Sequence, residues 1–177
     1  KPGFEVYPVN PDNADYISAL ATGGEKGLVS AVESAEGFSI DKYVASNTDT
    51  FALAINSMGG LEYSVEKRID YKAEDFTLIL TAGDQTIKGE TLLKYFRYLK
   101  TLGNDGLRQQ GELICSMLDS YVTAENVAQG DKIYERILAK IDSKSDISHL
   151  EMSKALQMLK IFCESDEKQP ATVIIGK

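Results

Sequence analysis

The sequence predicts an α+β fold that is mostly helical, and three observations carry that prediction. Residues 90–165 hold four consecutive segments with apolar residues at helical spacing, while residues 61–71 switch to a period of two. Before residue 60 the chain has only short helical stretches, rich in Ala and Ser and punctuated by glycines. The expected architecture is a C-terminal bundle of about four antiparallel helices, a small antiparallel sheet with strands near 61–71, 75–81 and 84–88, and short N-terminal helices. One domain is expected over 1–177, running from helices with an extended arm (1–60) through strands (61–88) and bundle (90–165) to a linker and terminal strand (166–177).

Residues 4–9 read as extended, and Pro8 and Pro11 confine them to a sheet edge or a terminal arm. Asp12 offers a cap for a helix with Tyr16, Ile17 and Leu20 on one face, stopped by Gly23 and Gly24. A second helix with Leu28, Val29 and Val32 ends at Gly37, and a third, from Thr48, turns Phe51, Ile55 and Met58 inward before Gly59 and Gly60.

In 61–71, Leu61, Tyr63, Val65, Ile69 and Tyr71 alternate with Glu62, Ser64, Glu66, Arg68 and Asp70, the pattern of a half-buried strand. Lys67 interrupts it, as a snorkelling residue or a bulge. A polar turn at 72–75 leads to a second strand, and Ala82, Gly83 and Asp84 read as a turn into a short third one.

The first bundle helix, 91–102, presents Leu92, Tyr95, Phe96, Leu99 and Leu102; Gly103 closes it, and Asn104 or Asp105 can cap the next. The second, 106–122, presents Leu107, Leu113, Ile114, Met117, Leu118 and Tyr121. Thr123 caps a third with Val127, Tyr134, Ile137, Leu138 and Ile141, broken or kinked near Gly130. The fourth opens on a capping box, Ser148 with Glu151, and a hydrophobic staple, Ile147 with Met152; Ala155, Leu156, Leu159 and Cys163 continue its stripe. The β-branched run 171–175 needs a sheet edge, in its own chain or a neighbour's.

A chain of 177 residues with 43% hydrophobic and 26% charged residues can bury a core without staples. The net charge of −8 argues against a field that attracts nucleic acid. Cys115 and Cys163 sit on apolar helix faces as free thiols, which leans toward a reducing, cytoplasmic setting. No run of about 18 apolar residues marks a membrane span, and no membrane partner is expected. The start at Lys1 rather than Met is compatible with a removed leader.

Chemistry has little foothold. His149, the only histidine, stands at a helix start that disfavours its charged form, and one histidine with two separated cysteines gives no zinc spacing. No catalytic residue, metal ligand or cofactor is therefore assigned. Gly103, Gly106 and Gly111 lack the Lys and Ser/Thr of a phosphate loop. The most site-like feature is a basic stretch, 88–108, with Lys94, Arg97, Lys100 and Arg108 beside Tyr98.

The leading expectation is thus a non-catalytic interaction or assembly protein, self-associating or binding a protein partner. Its binding residues would be Lys94, Arg97, Tyr98, Lys100 and Arg108 on the basic face and Val173, Ile174 and Ile175 on the terminal strand. The alternative is a nucleic-acid or anion binder using the basic patch, and a further alternative is an enzyme with a carboxylate-based site.

Overall fold

A computed structural model describes residues 1–139 and 144–175, with the side chains of 134 and 136–139 and that of Lys144 outside the description. Strand β1 (Glu5–Val6) leads to α1 (Ala14–Glu36), which is capped by the Asn13 side chain rather than by Asp12. Gly24, at φ 61° and ψ −153°, breaks α1, and its two halves fold back on each other. The Tyr16 hydroxyl donates to Glu36 Oε1 at 2.8 Å, whereas 20 residues of straight helix would separate them by about 30 Å. The expected stop at Gly24 and the left-handed close at Gly37 are both present, but of the expected inward face only Tyr16 is buried; Ile17 and Leu20 are exposed.

Next come β2 (Val44–Ala45) and α2 (Thr48–Ser57), with Thr50, Ala52 and Ile55 buried. Four strands follow: β3 (Leu61–Val65), β4 (Ile69–Lys72), β5 (Thr77–Leu80) and β6 (Gly83–Ile87). They form one long antiparallel ribbon in two sections, β4 on β5 and β3 on β6. Between the sections, residues 66–68 stand opposite 81–82, so the leading strand carries one extra residue. This is the bulge that Lys67 foreshadowed. The segment at 82–84 is therefore no hairpin turn: β6 continues along the ribbon to pair with β3 instead of folding onto β5.

Helices α3 (Gly89–Lys100) and α4 (Gly103–Tyr121) pack beside the ribbon. Gly89 lets α3 approach α2 closely, since a Cβ there would lie 2.5 Å from Ala52 Cα, and its amide donates to Asn56 Oδ1 at 2.9 Å. Gly103 closes α3 in the left-handed region as expected, but Leu102 rather than Asn104 or Asp105 sits at the cap of α4, with no side-chain cap. The fully buried side chains Leu61, Leu78, Ile87, Leu92, Leu99 and Leu113 come from the ribbon, α3 and α4, and burying each contributes roughly 1.5–3 kcal/mol.

The expected four-helix bundle does not form as one unit. Helices α3 and α4 pack on α2 and the ribbon, whereas α5 (Ala124–Ala128), α6 (Gly130–Ala139) and α7 (His149–Glu164) pack on one another. Ile114 and Leu102, placed inward by periodicity, are exposed. Thr123 caps α5 and the break before Gly130 is present; of that segment's stripe, the side chains of Tyr134, Ile137 and Leu138 and all of Ile141 lie outside the described residues. The capping box of α7 is complete, with Ser148 Oγ accepting from the Glu151 amide and Glu151 Oε2 accepting from the Ser148 amide.

Two small pairings tie distant segments together. β2 pairs antiparallel with β7 (Lys144–Ser145), which periodicity did not indicate because each strand has two residues. β8 (Thr172–Val173) pairs parallel with β1, so the terminal run finds its edge within its own chain. Both cysteines are free, Cys115 buried. Among the described residues, no helix is long and apolar enough to cross a membrane.

Candidate functional site

The residues that frame the site are positioned by two close approaches. Gly106, in the first turn of α4, lies so near Leu99 of α3 that a Cβ would fall 1.7 Å from its carbonyl oxygen. One turn on, Gln110 Nε2 donates to the Phe96 carbonyl at 2.8 Å. The start of α4 is thereby held across the end of α3, facing the bulge of the ribbon.

The space between them is a cavity of about 400 Å³. The ribbon contributes Tyr63, Val65, Glu66, Lys67 and Ile69, α3 contributes Tyr95 and Tyr98, and α4 contributes Asp105, Arg108, Gln109 and Glu112. Its inner wall is aromatic, backed by the buried Val65 and Ile69: Tyr63 meets Tyr95 edge-on at 6.2 Å, and Tyr98 lies 6.4 Å from Tyr95 and 5.1 Å from Tyr71. Its rim is ionic. Arg108 Nε donates to Glu112 Oε1 at 3.0 Å, and Glu66, Lys67 and Asp105 complete the edge.

Burial, and then the neighbouring Tyr63, push the Tyr95 phenol far above its ordinary value of 10.0; burial and the nearby Glu112 raise Tyr63. Both phenols are neutral hydrogen-bonding groups at physiological pH, not bases. Among the described residues no cluster of three or more His, Cys, Asp or Glu could hold a metal ion. What the arrangement can do is hold a molecule with an apolar portion against the inner wall and an anionic portion against Arg108. A second groove, of about 670 Å³, lies between α1 and residues 43–47, and among its described lining residues the charged one is Glu25.

Of the basic patch, only Tyr98 and Arg108 reach the cavity. Arg97 is engaged elsewhere, 2.6 Å from Asp75 and 4.3 Å above the Phe76 ring, and Lys100 lies 2.6 Å from Asp12. Lys94 is half-buried on α3, away from the lining. Val173 packs over Gly111, where a Cβ would come within 2.9 Å of its Cγ1, and the Ile174 amide donates to the Val6 carbonyl; Ile175 is exposed. Sequence reasoning passed over Tyr63, Glu66, Lys67, Asp105, Gln109 and Glu112 as lining. The bulge at Lys67 was the available signal, because bulges redirect side chains near sites.

Comparison with known proteins bears on this site. The LytR_cpsA_psr family matches residues 10–170. The chain is 27% identical over 164 residues to the polyisoprenyl-teichoic acid–peptidoglycan teichoic acid transferase TagV of Bacillus subtilis strain 168, covering 89% of this chain and 41% of that protein. It thus spans less than half the length of this relative. The crystal structure of B. subtilis TagV superposes with a TM-score of 0.67 at 25% identity, over 98% of this chain and 68% of that one. The crystal structure of gbs0355 from Streptococcus agalactiae shares the fold, with a TM-score of 0.70 at 19% identity over 97% and 61% of the two chains.

These findings correct the functional expectation. A family match over nearly the whole chain and a relative named as a transferase overturn the non-catalytic, self-associating assembly protein. They equally overturn the cytoplasmic, membrane-independent placement, since the acceptor in that relative's name is peptidoglycan and the donor is borne on a polyisoprenyl lipid. The error is traceable to chemistry. A cavity with no histidine or cysteine among its lining residues leaves no spacing signature in one sequence, and free cysteines are a poor guide to compartment.

Proposed function

The chain belongs to the LytR_cpsA_psr family, and from that premise we propose that it acts in moving a teichoic-acid-like polymer from a polyisoprenyl carrier onto peptidoglycan, outside the cytoplasmic membrane. The observation that supports this reading is the two-part character of the cavity between ribbon, α3 and α4. The tyrosine cluster, backed by buried Val65 and Ile69, gives a wall of aromatic rings, and Arg108 stands at its rim. A lipid-borne donor has the same two parts, an isoprenoid chain and an anionic link to the polymer.

In this reading the Arg108 guanidinium meets the anionic link with its N–H donors and offsets the charge that builds as the group is transferred. The acceptor hydroxyl oxygen bonds to the phosphorus of the polymer, the bond from phosphorus to the carrier oxygen breaks, and the carrier leaves with that electron pair. The hydroxyl proton passes to a rim carboxylate, for which Glu66, Asp105 and Glu112 are placed. Tyr63 and Tyr95, held neutral, donate or accept hydrogen bonds without exchanging charge.

The test is transfer of a labelled polymer from a synthetic polyisoprenyl donor to peptidoglycan fragments in detergent. The wild-type chain is expected to transfer, Arg108→Ala to lose about 10²-fold in rate, and Lys94→Ala to keep it. Absence of transfer, or an Arg108→Ala rate equal to wild type, overturns the proposal.

A further inference from the structure

Helix α4 is gripped from two sides. Gly106 meets the Leu99 carbonyl of α3, and further along the helix Gly111 meets the paired chain ends, where a Cβ would lie 2.9 Å from Val173 Cγ1, 3.1 Å from Val173 Cγ2 and 3.1 Å from Pro8 Cγ. At about 100° per residue these two contacts stand about 140° apart around the helix axis. Arg108 lies between them in the chain. The chain ends are themselves tied: the amides of Gln169, Thr172 and Ile174 donate to the carbonyls of Pro2, Phe4 and Val6, each at 2.9 Å. Their hold on α4 is polar as well as steric, because Asp119 Oδ1, about two turns beyond Gly111, accepts from the Ala171 amide at 2.9 Å. Beyond β1, Asp12 reaches Lys100 at the end of α3, at 2.6 Å. None of Pro8, Gly111, Asp119 and Val173 lines the cavity.

We propose that the paired chain ends form a clasp that positions Arg108: by fixing the roll of α4 against α3 they fix where the guanidinium points, and Gly111 and Asp119 transmit the hold. The ion pair with Glu112 cannot do this. It joins two residues one turn apart on α4, so it turns with the helix. Orientation must come from contacts outside α4, and the clasp supplies them on the side away from Gly106. The lever is long enough to matter. A helix with its side chains is about 5–6 Å in radius, so a roll of about 10° moves a side-chain tip by about 1 Å. A misplacement of about 1 Å can cost about 10²-fold in rate. Gly111 and Asp119 are thus positioning residues that touch no substrate. The inference rests on the proposed function for what Arg108 does, and not for where it points.

The experiment pairs transfer kinetics in detergent with NMR of the arginine Nε–H groups, Arg108 being assigned from an Arg108→Lys sample, at a temperature where circular dichroism shows each variant folded. In Gly111→Ala the new Cβ meets the Val173 methyls, so the Arg108 signal is expected to shift while kcat falls about tenfold or more with KM little changed. Adding Val173→Ala removes those methyls and should bring both readouts back toward wild type. Asp119→Ala adds no bulk at an exposed position; it should speed hydrogen exchange of the Ala171 amide and shift the Arg108 signal, whereas Asp119→Asn, which keeps Oδ1, should match wild type. An Arg108 signal unchanged in Gly111→Ala or in Asp119→Ala, a shift that Val173→Ala fails to reverse, or an Asp119→Asn shift equal to that of Asp119→Ala would each overturn the proposal. The two readings fail separately. A wild type without transfer sinks the catalytic assignment while the Arg108 signal still reports on the clasp, and transfer with an unmoved Arg108 signal sinks only the clasp.

Discussion

Replacing Gly106 by Ala puts a methyl group where α4 crosses α3. The new Cβ would lie 1.7 Å from the Leu99 carbonyl oxygen, 2.7 Å from its carbon and 3.0 Å from Leu102 Cβ. That oxygen also accepts from the Leu102 amide at 2.9 Å, so it cannot withdraw without loosening the last turn of α3. Overpacking costs about 1–3 kcal/mol, and a backbone obstacle puts this site at the upper end. Against it stands a gain of about 1 kcal/mol in helix propensity. The net loss is roughly 2 kcal/mol, which for a chain of this size lowers the melting midpoint by about 4–8 °C. Two other glycines calibrate the effect. Gly103, at φ 63° with open space around it, should cost about 1 kcal/mol as Ala through left-handed strain alone. Gly23, helical and with nothing near its Cβ, should gain about 0.5–1 kcal/mol. Calorimetric or circular-dichroism melting should therefore rank Gly23→Ala above wild type, then Gly103→Ala, then Gly106→Ala. A Gly106→Ala protein as stable as wild type would refute the close crossing that forms one wall of the cavity.

Other consequences follow from the same geometry. Lys42, and then Ser148, hold the Glu151 carboxylate down from 4.5 to about 2. With the folded value below the unfolded one, any stabilisation is present above about pH 4.5 and is lost as pH falls toward about 2. Lys42→Ala should move the Glu151 titration, followed by carboxyl NMR, back toward 4.5, though the Ser148 hydrogen bonds should keep it below; an unmoved titration would contradict the pair. Arg97→Ala should lower the melting midpoint by no more than about 4 °C and leave transfer intact, because its guanidinium serves Asp75 and Phe76. Loss of transfer equal to that of Arg108→Ala would move the site away from the cavity.

Local chemistry was legible in the sequence wherever a few neighbouring residues decide the structure. The capping box at Ser148, the left-handed close at Gly37, the break at Gly24 and the extra residue at Lys67 each follow from side-chain size or hydrogen-bonding capacity within a turn. What periodicity could not supply is which surface an apolar stripe meets. It placed Ile114 inward and read α7 as a bundle helix, yet Ile114 is exposed and α7 keeps its outward stripe wet. Long-range partners are likewise silent: Arg97 and Lys100 read as a free basic patch until Asp75 and Asp12 arrive from distant segments. The cavity itself is made by the Gly106 contact and the ribbon bulge acting together, which a one-dimensional reading treats as unrelated punctuation.

The most direct test of the cavity as the donor site is photolabelling with a polyisoprenyl phosphate that carries a diazirine on its chain, mapped by mass spectrometry. Adducts are predicted in 63–69 and 95–112, and they should weaken in Arg108→Ala. Adducts confined to the groove formed by α1 and residues 43–47, with the ribbon and α4 unlabelled, would contradict the assignment.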